Sequence, residues 1–241
     1  MNMSDTANEG KLASAPTTSG EFDARLKRAD ENRWLATRYA PAAGRERLVA
    51  VYCLNLELQR AVSASEPMLG KIRLQWWREA VAEIVAGAAV RRHELSLELA
   101  RVAAGDGKLL KAAGDLIDRY DDVIDDHLQS GGHQPDGAHA ARHLAAEAAL
   151  ARLAGRALET GVTDDQLAAL SLCGEAHLAI RADLPEAGER LAASARAARD
   201  LPAALWPAIA HLAVASTGDG KGNGPLLKRW RVLQSVLRRR L

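Results

Sequence analysis

One stretch constrains this chain more than any other: Ser65 to Glu83, reading SEPMLGKIRLQWWREAVAE. Pro67 suits the first helical position, where its missing N–H costs nothing, and Glu66 suits the positive end of a helix. From there Leu69, Ile72, Trp76, Ala80 and Ile84 recur at helical spacing, with Trp77 on the flank. On a wheel turning about 100° per residue, Arg73 falls inside that apolar stripe while Lys71, Gln75 and Arg78 point away. Two adjacent tryptophans beside an inward arginine can floor a pocket for a ligand with an apolar body and an anionic head. The same pattern also suits a core helix in which Arg73 pairs with a carboxylate or packs on indole.

The surrounding chain repeats this period. It is rich in alanine, has 4% aromatic residues and lacks the β-branched runs that mark strands, so an all-α protein is expected. Its 241 residues suffice for one helical domain over residues 21–241, preceded by a disordered tail over 1–20. A net charge of +1 and the lack of any matching motif argue against a nucleic-acid partner. Cys53 and Cys173 fit neither a metal pattern nor a disulfide framework, which suits a reducing, cytoplasmic location. No apolar run approaches the roughly 18–20 residues of a membrane span, and residues 1–20 resemble no secretory or transit leader.

In chain order, a first helix is expected from Glu21 to Tyr39, with Phe22, Leu26, Ala29 and Leu35 inward and Pro41 ending it. A second, Gly44 to Ala64, carries Leu48, Val51, Tyr52, Leu58 and Val62 on one face. Asn55 and Gln59 share that face, whereas Glu57 and Arg60 point outward. Two buried amides must find partners, either on a neighbouring helix or on a ligand. The tryptophan helix ends near Gly87, a short helix spans Arg92 to Ala104, and another runs from Lys108 to Ser130, closed by Gly131-Gly132. This last helix contains DLIDRYDDVIDD, in which Asp121, Asp122 and Asp125 resemble the DDxxD of isoprenoid diphosphate synthases, a magnesium-binding string. The wheel points elsewhere: Leu109, Ala113, Leu116, Ile117, Tyr120, Val123 and Ile124 form one stripe. Asp115, Asp118, Asp122, Asp125 and Asp126 lie mostly opposite, with Asp121 at the margin, as in a solvated acidic face.

Asp136 can cap a helix reaching about Thr160, whose His139 and His143 stand one turn apart without a third metal ligand. Thr163 to Gln166 reads as a capping box for a helix to Arg181, with His177 a satisfied core histidine. Helices near 185–199 and 202–216 follow, then a glycine-rich loop, Thr217 to Gly224, that is neither a P-loop nor a dinucleotide fingerprint. The final helix, Pro225 to Leu241, sets Leu226, Trp230, Leu233 and Leu237 on one side and holds Lys228, Arg229, Arg231, Arg238, Arg239 and Arg240 without an acid. Such an end can dock on anionic lipid at the inner face of a membrane, or on an acidic partner. It can also be a core helix with a solvated basic face.

The strings Val51-Tyr52-Cys53-Leu54-Asn55-Leu56-Glu57, Ser65-Glu66-Pro67-Met68-Leu69-Gly70 and Ile72-Arg73-Leu74-Gln75-Trp76-Trp77-Arg78 resemble the squalene/phytoene synthase family. The likeness continues through Leu116-Ile117-Asp118 to Leu227-Lys228-Arg229-Trp230, and is tightest over the SEP…RLQWWRE stretch. It implies the all-α isoprenoid-synthase bundle with a central apolar cavity. Active members join two prenyl diphosphates head to head, using two aspartate-rich motifs that bind magnesium. Placing the family's tyrosine on Tyr52 puts Gln59, Arg60 and Ser63 where the first acids belong, and Ala182 and Glu186 at the second motif. These departures resemble a phytoene-synthase-like group with degenerate motifs that includes complex I assembly factors. The resemblance thus implies an isoprenoid-binding or assembly-type protein near a membrane. An active prenyltransferase requiring Mg2+ is the alternative. The candidate pocket is Tyr52, Asn55, Gln59, Arg73, Trp76 and Trp77.

Overall fold

The computed structural model describes residues 18–129, 137–215 and 224–241, whose regular structure is all helical, with no strand among them. Expectations placed on residues 1–17, on Gly131-Gly132 and Asp136, and on the loop over 217–223 lie outside the described residues. Thr18 to Gly20, assigned above to a tail, already form the start of a helix.

That first helix is broken. The single helix expected over Glu21–Tyr39 is instead α1 (Thr18–Ala29) and α2 (Glu31–Thr37), split at Asp30. Asp30 leaves the helical region (φ −147°, ψ 80°) and its carboxylate accepts from the Arg33 N–H at 3.0 Å, capping α2. The break buries Arg33 and leaves Ala29 exposed, contrary to expectation, while Leu35 is buried as expected.

α3 (Ala42–Val62) is the hub and touches α1, α2, α4, α5, α6 and α7. A helix so surrounded must be apolar around its whole girth, and every residue from Leu48 to Asn55 is buried. α4 (Pro67–Val85), α5 (Glu94–Ala103) and α6 (Gly107–Gln129) lie on one side of it. α7 (Gly137–Leu158) packs on both α3 and α6, and α8 (Asp164–Arg181) packs on α7. The Thr163 capping box is present, with Thr163 Oγ1 accepting from the Gln166 N–H and the Gln166 side chain accepting from the Thr163 N–H at 3.0 Å. Gly174 makes the α7–α8 approach possible, since a Cβ there would fall 2.4 Å from the Glu147 carbonyl oxygen.

After α9 (Ala187–Ala197) the chain does not form the expected helix over 202–216. Pro202 and Pro207 impose instead a 3₁₀ segment, Ala203–Ala208, which buries Trp206, and then the short α10 (Leu212–Ala215). α11 (Pro225–Arg238) closes the described chain against α2, the 3₁₀ segment and α10. No described helix is long and apolar enough to cross a membrane.

Candidate functional site

α4 is rotated by about a quarter turn from the expected orientation. Its buried residues are Gly70, Leu74, Trp77, Ala80 and Val81, whereas Leu69, Ile72 and Arg73, expected inward, are exposed. Gly70 is the reason. A Cβ on it would lie 2.5 Å from the Ala61 carbonyl oxygen and 2.9 Å from Ile124 Cδ1, so α4 presses its glycine against α3 and α6. A residue without a side chain sets the contact face, and Ile72 is left 62% exposed.

The face so displaced borders a pocket of about 470 Å³ lined by Glu57 and Arg60 of α3, Ile72, Arg73, Trp76 and Trp77 of α4, and His93 before α5. Volumes of ~300–1,000 Å³ are typical of small-molecule sites. Trp76, Trp77 and His93 form a mutually edge-on cluster, with ring centroids 4.9 Å apart for the tryptophans and 5.2 Å from His93 to each. Arg91 stacks over Trp76 at 5.1 Å and is held by Glu83 at 2.5 Å and Glu79 at 3.2 Å, fixing the indole from behind. Burial lowers the pKa of His93, more than Glu94 raises it, so the imidazole is neutral at pH 7. The lining is thus an aromatic floor with two guanidinium groups at its edge. Its one carboxylate, Glu57, is held by Arg25 and, at 3.2 Å, by Arg60.

A second hollow, also of about 470 Å³, shares Ile72 and Trp76 and is otherwise lined by Lys71, Gln75, Arg78, Glu79 and Asp121. Asp121 is the DDVID acid that lines it, and the acids of that string are already paired with cations. Lys71 Nζ lies 2.9 Å from Asp121 and 2.7 Å from Asp125, and Arg78 reaches Asp118 at 2.9 Å and Asp121 at 3.3 Å. Asp122 pairs with Arg119 at 2.9 Å on its own helix. The apolar stripe expected on α6 is buried at all seven positions.

Residues 26–130 match the squalene/phytoene synthase family model. This span covers less than half of the 241 residues, and both hollows fall inside it. The resemblance in the C-terminal half lies outside the matched squalene/phytoene synthase segment. No curated protein and no solved structure matches the chain.

Active squalene/phytoene synthases hold magnesium through clustered carboxylates, and the residues present here do not suit that ion. Mg2+ needs several oxygen ligands, and a guanidinium in their midst repels it. Arg60 lines the pocket, and neighbouring Gln59 and Ser63 bring no charge. Among the described residues no group of three or more His, Cys, Asp or Glu side chains is arranged to hold a metal.

The six candidate pocket residues separate. Arg73, Trp76 and Trp77 line the pocket. Asn55 and Gln59 turn instead to α6, where the Tyr120 hydroxyl donates to Asn55 Oδ1 at 2.7 Å and lies within hydrogen-bonding reach of Gln59. Tyr52 is buried in the core and donates to the Ala208 carbonyl at 3.4 Å. It lines an internal cavity of about 10 Å³ with Arg33, Glu147, Cys173, Gly174 and His211, room for about one water.

This buried polar cluster escaped sequence reading. Burial disfavours the Arg33 charge, and Glu147 at 2.5 Å and Asp30 at 3.1 Å outweigh it. His177 and His211 pack edge-on at 4.5 Å, both with pKa values lowered by burial and then by Arg33, His211 to about 3. His177 is buried as expected, yet among the described residues neither ring nitrogen has a hydrogen-bond partner, so it is not the satisfied histidine anticipated. Arg33 follows Phe22 and Leu26 at helical spacing, the one signal that could have placed it inward. Of the C-terminal docking candidates, Arg229, Trp230, Arg238, Arg239 and Arg240 are exposed, Arg231 is half-buried, and Lys228 reaches Glu31 at 3.2 Å.

Proposed function

We propose that the chain is a squalene/phytoene synthase-type protein that binds an isoprenoid with an anionic head and does not carry out magnesium-dependent head-to-head condensation. The observation that carries this reading is the composition of the α3–α4–α5 pocket: three aromatic rings, two guanidinium groups, and a single carboxylate neutralised by Arg25 and Arg60. An isoprenoid tail packs on Ile72, Trp76 and Trp77, and Arg60 and Arg73 face the diphosphate. The arginines supply directly the positive charge that magnesium would otherwise bring.

The test is incubation with farnesyl and geranylgeranyl diphosphate, with and without Mg2+, reading binding by calorimetry and products by mass spectrometry. Binding is expected without metal, weakened about tenfold by Arg73→Gln or Trp76→Ala, one charge-assisted contact or one packed ring each. Magnesium-dependent squalene or phytoene at an ordinary enzymatic rate overturns the reading.

A second reading is favoured by one observation, the exposure of Met68, Leu69 and Ile72 beside the pocket mouth. A protein partner covering that α4 face would make the chain an assembly-type factor. Photo-crosslinking from position 72 in the native host separates the two, since an isoprenoid carrier gives no protein adduct there.

A further inference from the structure

α11 turns toward the bundle the side that its sequence pattern marks as polar. It buries Val232 and Ser235, with Val236 packed against the core. The row at i, i+4, i+7 and i+11, Leu226, Trp230, Leu233 and Leu237, therefore runs along the outer face, with Leu226 80%, Trp230 54% and Leu237 71% exposed and Leu233 half-buried between them. A single exposed leucine needs no explanation, but a continuous leucine–tryptophan row over three turns does. Beside the row stand exposed Arg229, Arg238, Arg239 and Arg240, which make no ion pair among the described residues. No acid occurs between Pro225 and Leu241.

We propose that α11 docks the protein on an anionic lipid bilayer, lying in the plane of the interface. Leu226, Trp230 and Leu237 enter the boundary between headgroups and acyl chains, and the arginines meet the lipid phosphates. Charge and shape select this occupant. The cationic flanks call for an anionic surface, and the apolar row calls for a hydrocarbon layer a few ångströms beneath it. Tryptophan, apolar in body with one N–H donor, favours that boundary. The proposal stands independently of the isoprenoid pocket, which lies on other helices.

The experiment is co-sedimentation of the full chain with vesicles of equimolar phosphatidylcholine and phosphatidylglycerol, against phosphatidylcholine alone. Binding is expected only to the anionic vesicles, fading as salt is raised. At roughly fivefold per basic residue near the surface, Arg229→Gln with Arg240→Gln should weaken it about 30-fold. Trp230→Ser should weaken it about tenfold or more by removing the inserted indole. All three side chains are exposed, and circular dichroism checks that the variants fold. No binding to anionic vesicles at low salt overturns the proposal, as does equal binding to neutral ones. Binding undiminished in both variants places the contact elsewhere and also overturns it. A concentration-dependent dimer that Trp230→Ser dissolves would identify a second copy, not lipid, as the cover of this face.

Discussion

Arg33 and Glu147, 114 residues apart in sequence, meet at 2.5 Å with both side chains almost wholly buried. Desolvating two charges costs several kcal/mol, which only their mutual attraction and further hydrogen bonds offset. Removing one partner should therefore hurt more than removing both. Glu147→Leu is expected to lower unfolding stability by about 3–5 kcal/mol, and Arg33→Met with Glu147→Leu to recover most of that loss. Urea denaturation of the three proteins decides it, and a double variant as unstable as the single one would contradict this account.

The His177–His211 pair gives stability a direction with pH. Both pKa values are lowered in the folded protein, so the unfolded chain binds protons more readily. The stability that the neutral rings allow is complete above about pH 6.5 and declines as pH falls toward the folded value of about 3 for His211. Arg33 and Arg181 add to the penalty and Asp30 partly relieves it at His211. His177→Leu should reduce the acid slope by up to about 1.4 kcal/mol per pH unit. Identical slopes for parent and variant, from urea midpoints between about pH 6.5 and pH 4, would rule this out.

The paired substitution Asp122→Asn with Asp125→Asn should change stability by less than about 1 kcal/mol. Both carboxylates are more than a third exposed, so their links to Arg119 and Lys71 are screened by solvent. Prenyl diphosphate binding should be unaffected. A loss above about 2 kcal/mol, or abolished binding, would show that the acidic string serves a site.

Two glycine-to-alanine changes should move in opposite directions. In α6 a Cβ on Gly114 meets nothing within 4 Å, so the gain in helix propensity, up to about 1 kcal/mol, should appear in full. At Gly70 the same gain is opposed by backbone at 2.5 Å, and forcing α3 and α4 apart should cost about 1–3 kcal/mol net. Thermal melts of both variants compare them directly, and a stabilising Gly70→Ala would mean that this contact yields easily.

α6 was legible in the sequence because its amphipathic pattern is unambiguous, seven apolar positions against a run of aspartates. α4 was misread by a quarter turn. Its contact is made by Gly70, which no apolar pattern counts, and adjacent tryptophans leave the wheel open to either orientation. Trp76, from the expected stripe, and Trp77, from the buried face, both line the pocket, so the two orientations share it. For α11 the pattern fits either a docking face or a core face for its apolar row, and the bundle takes the other side. The Arg33–Glu147 and His177–His211 contacts join segments far apart in the chain, a pairing to which local periodicity is blind.

α3 touches helices from both halves of the molecule, and α6 packs on α7 as well as α4. The stretch of sequence likeness, residues 26–130, therefore stops short of the unit that can close a core. A gene fragment ending at Gln129 would leave Tyr52 and Arg33, without its Glu147 partner, facing solvent in place of α7. The border of likeness and the border of the cooperative core fall at different residues, and the helices after residue 130 supply the wall that the matched segment lacks.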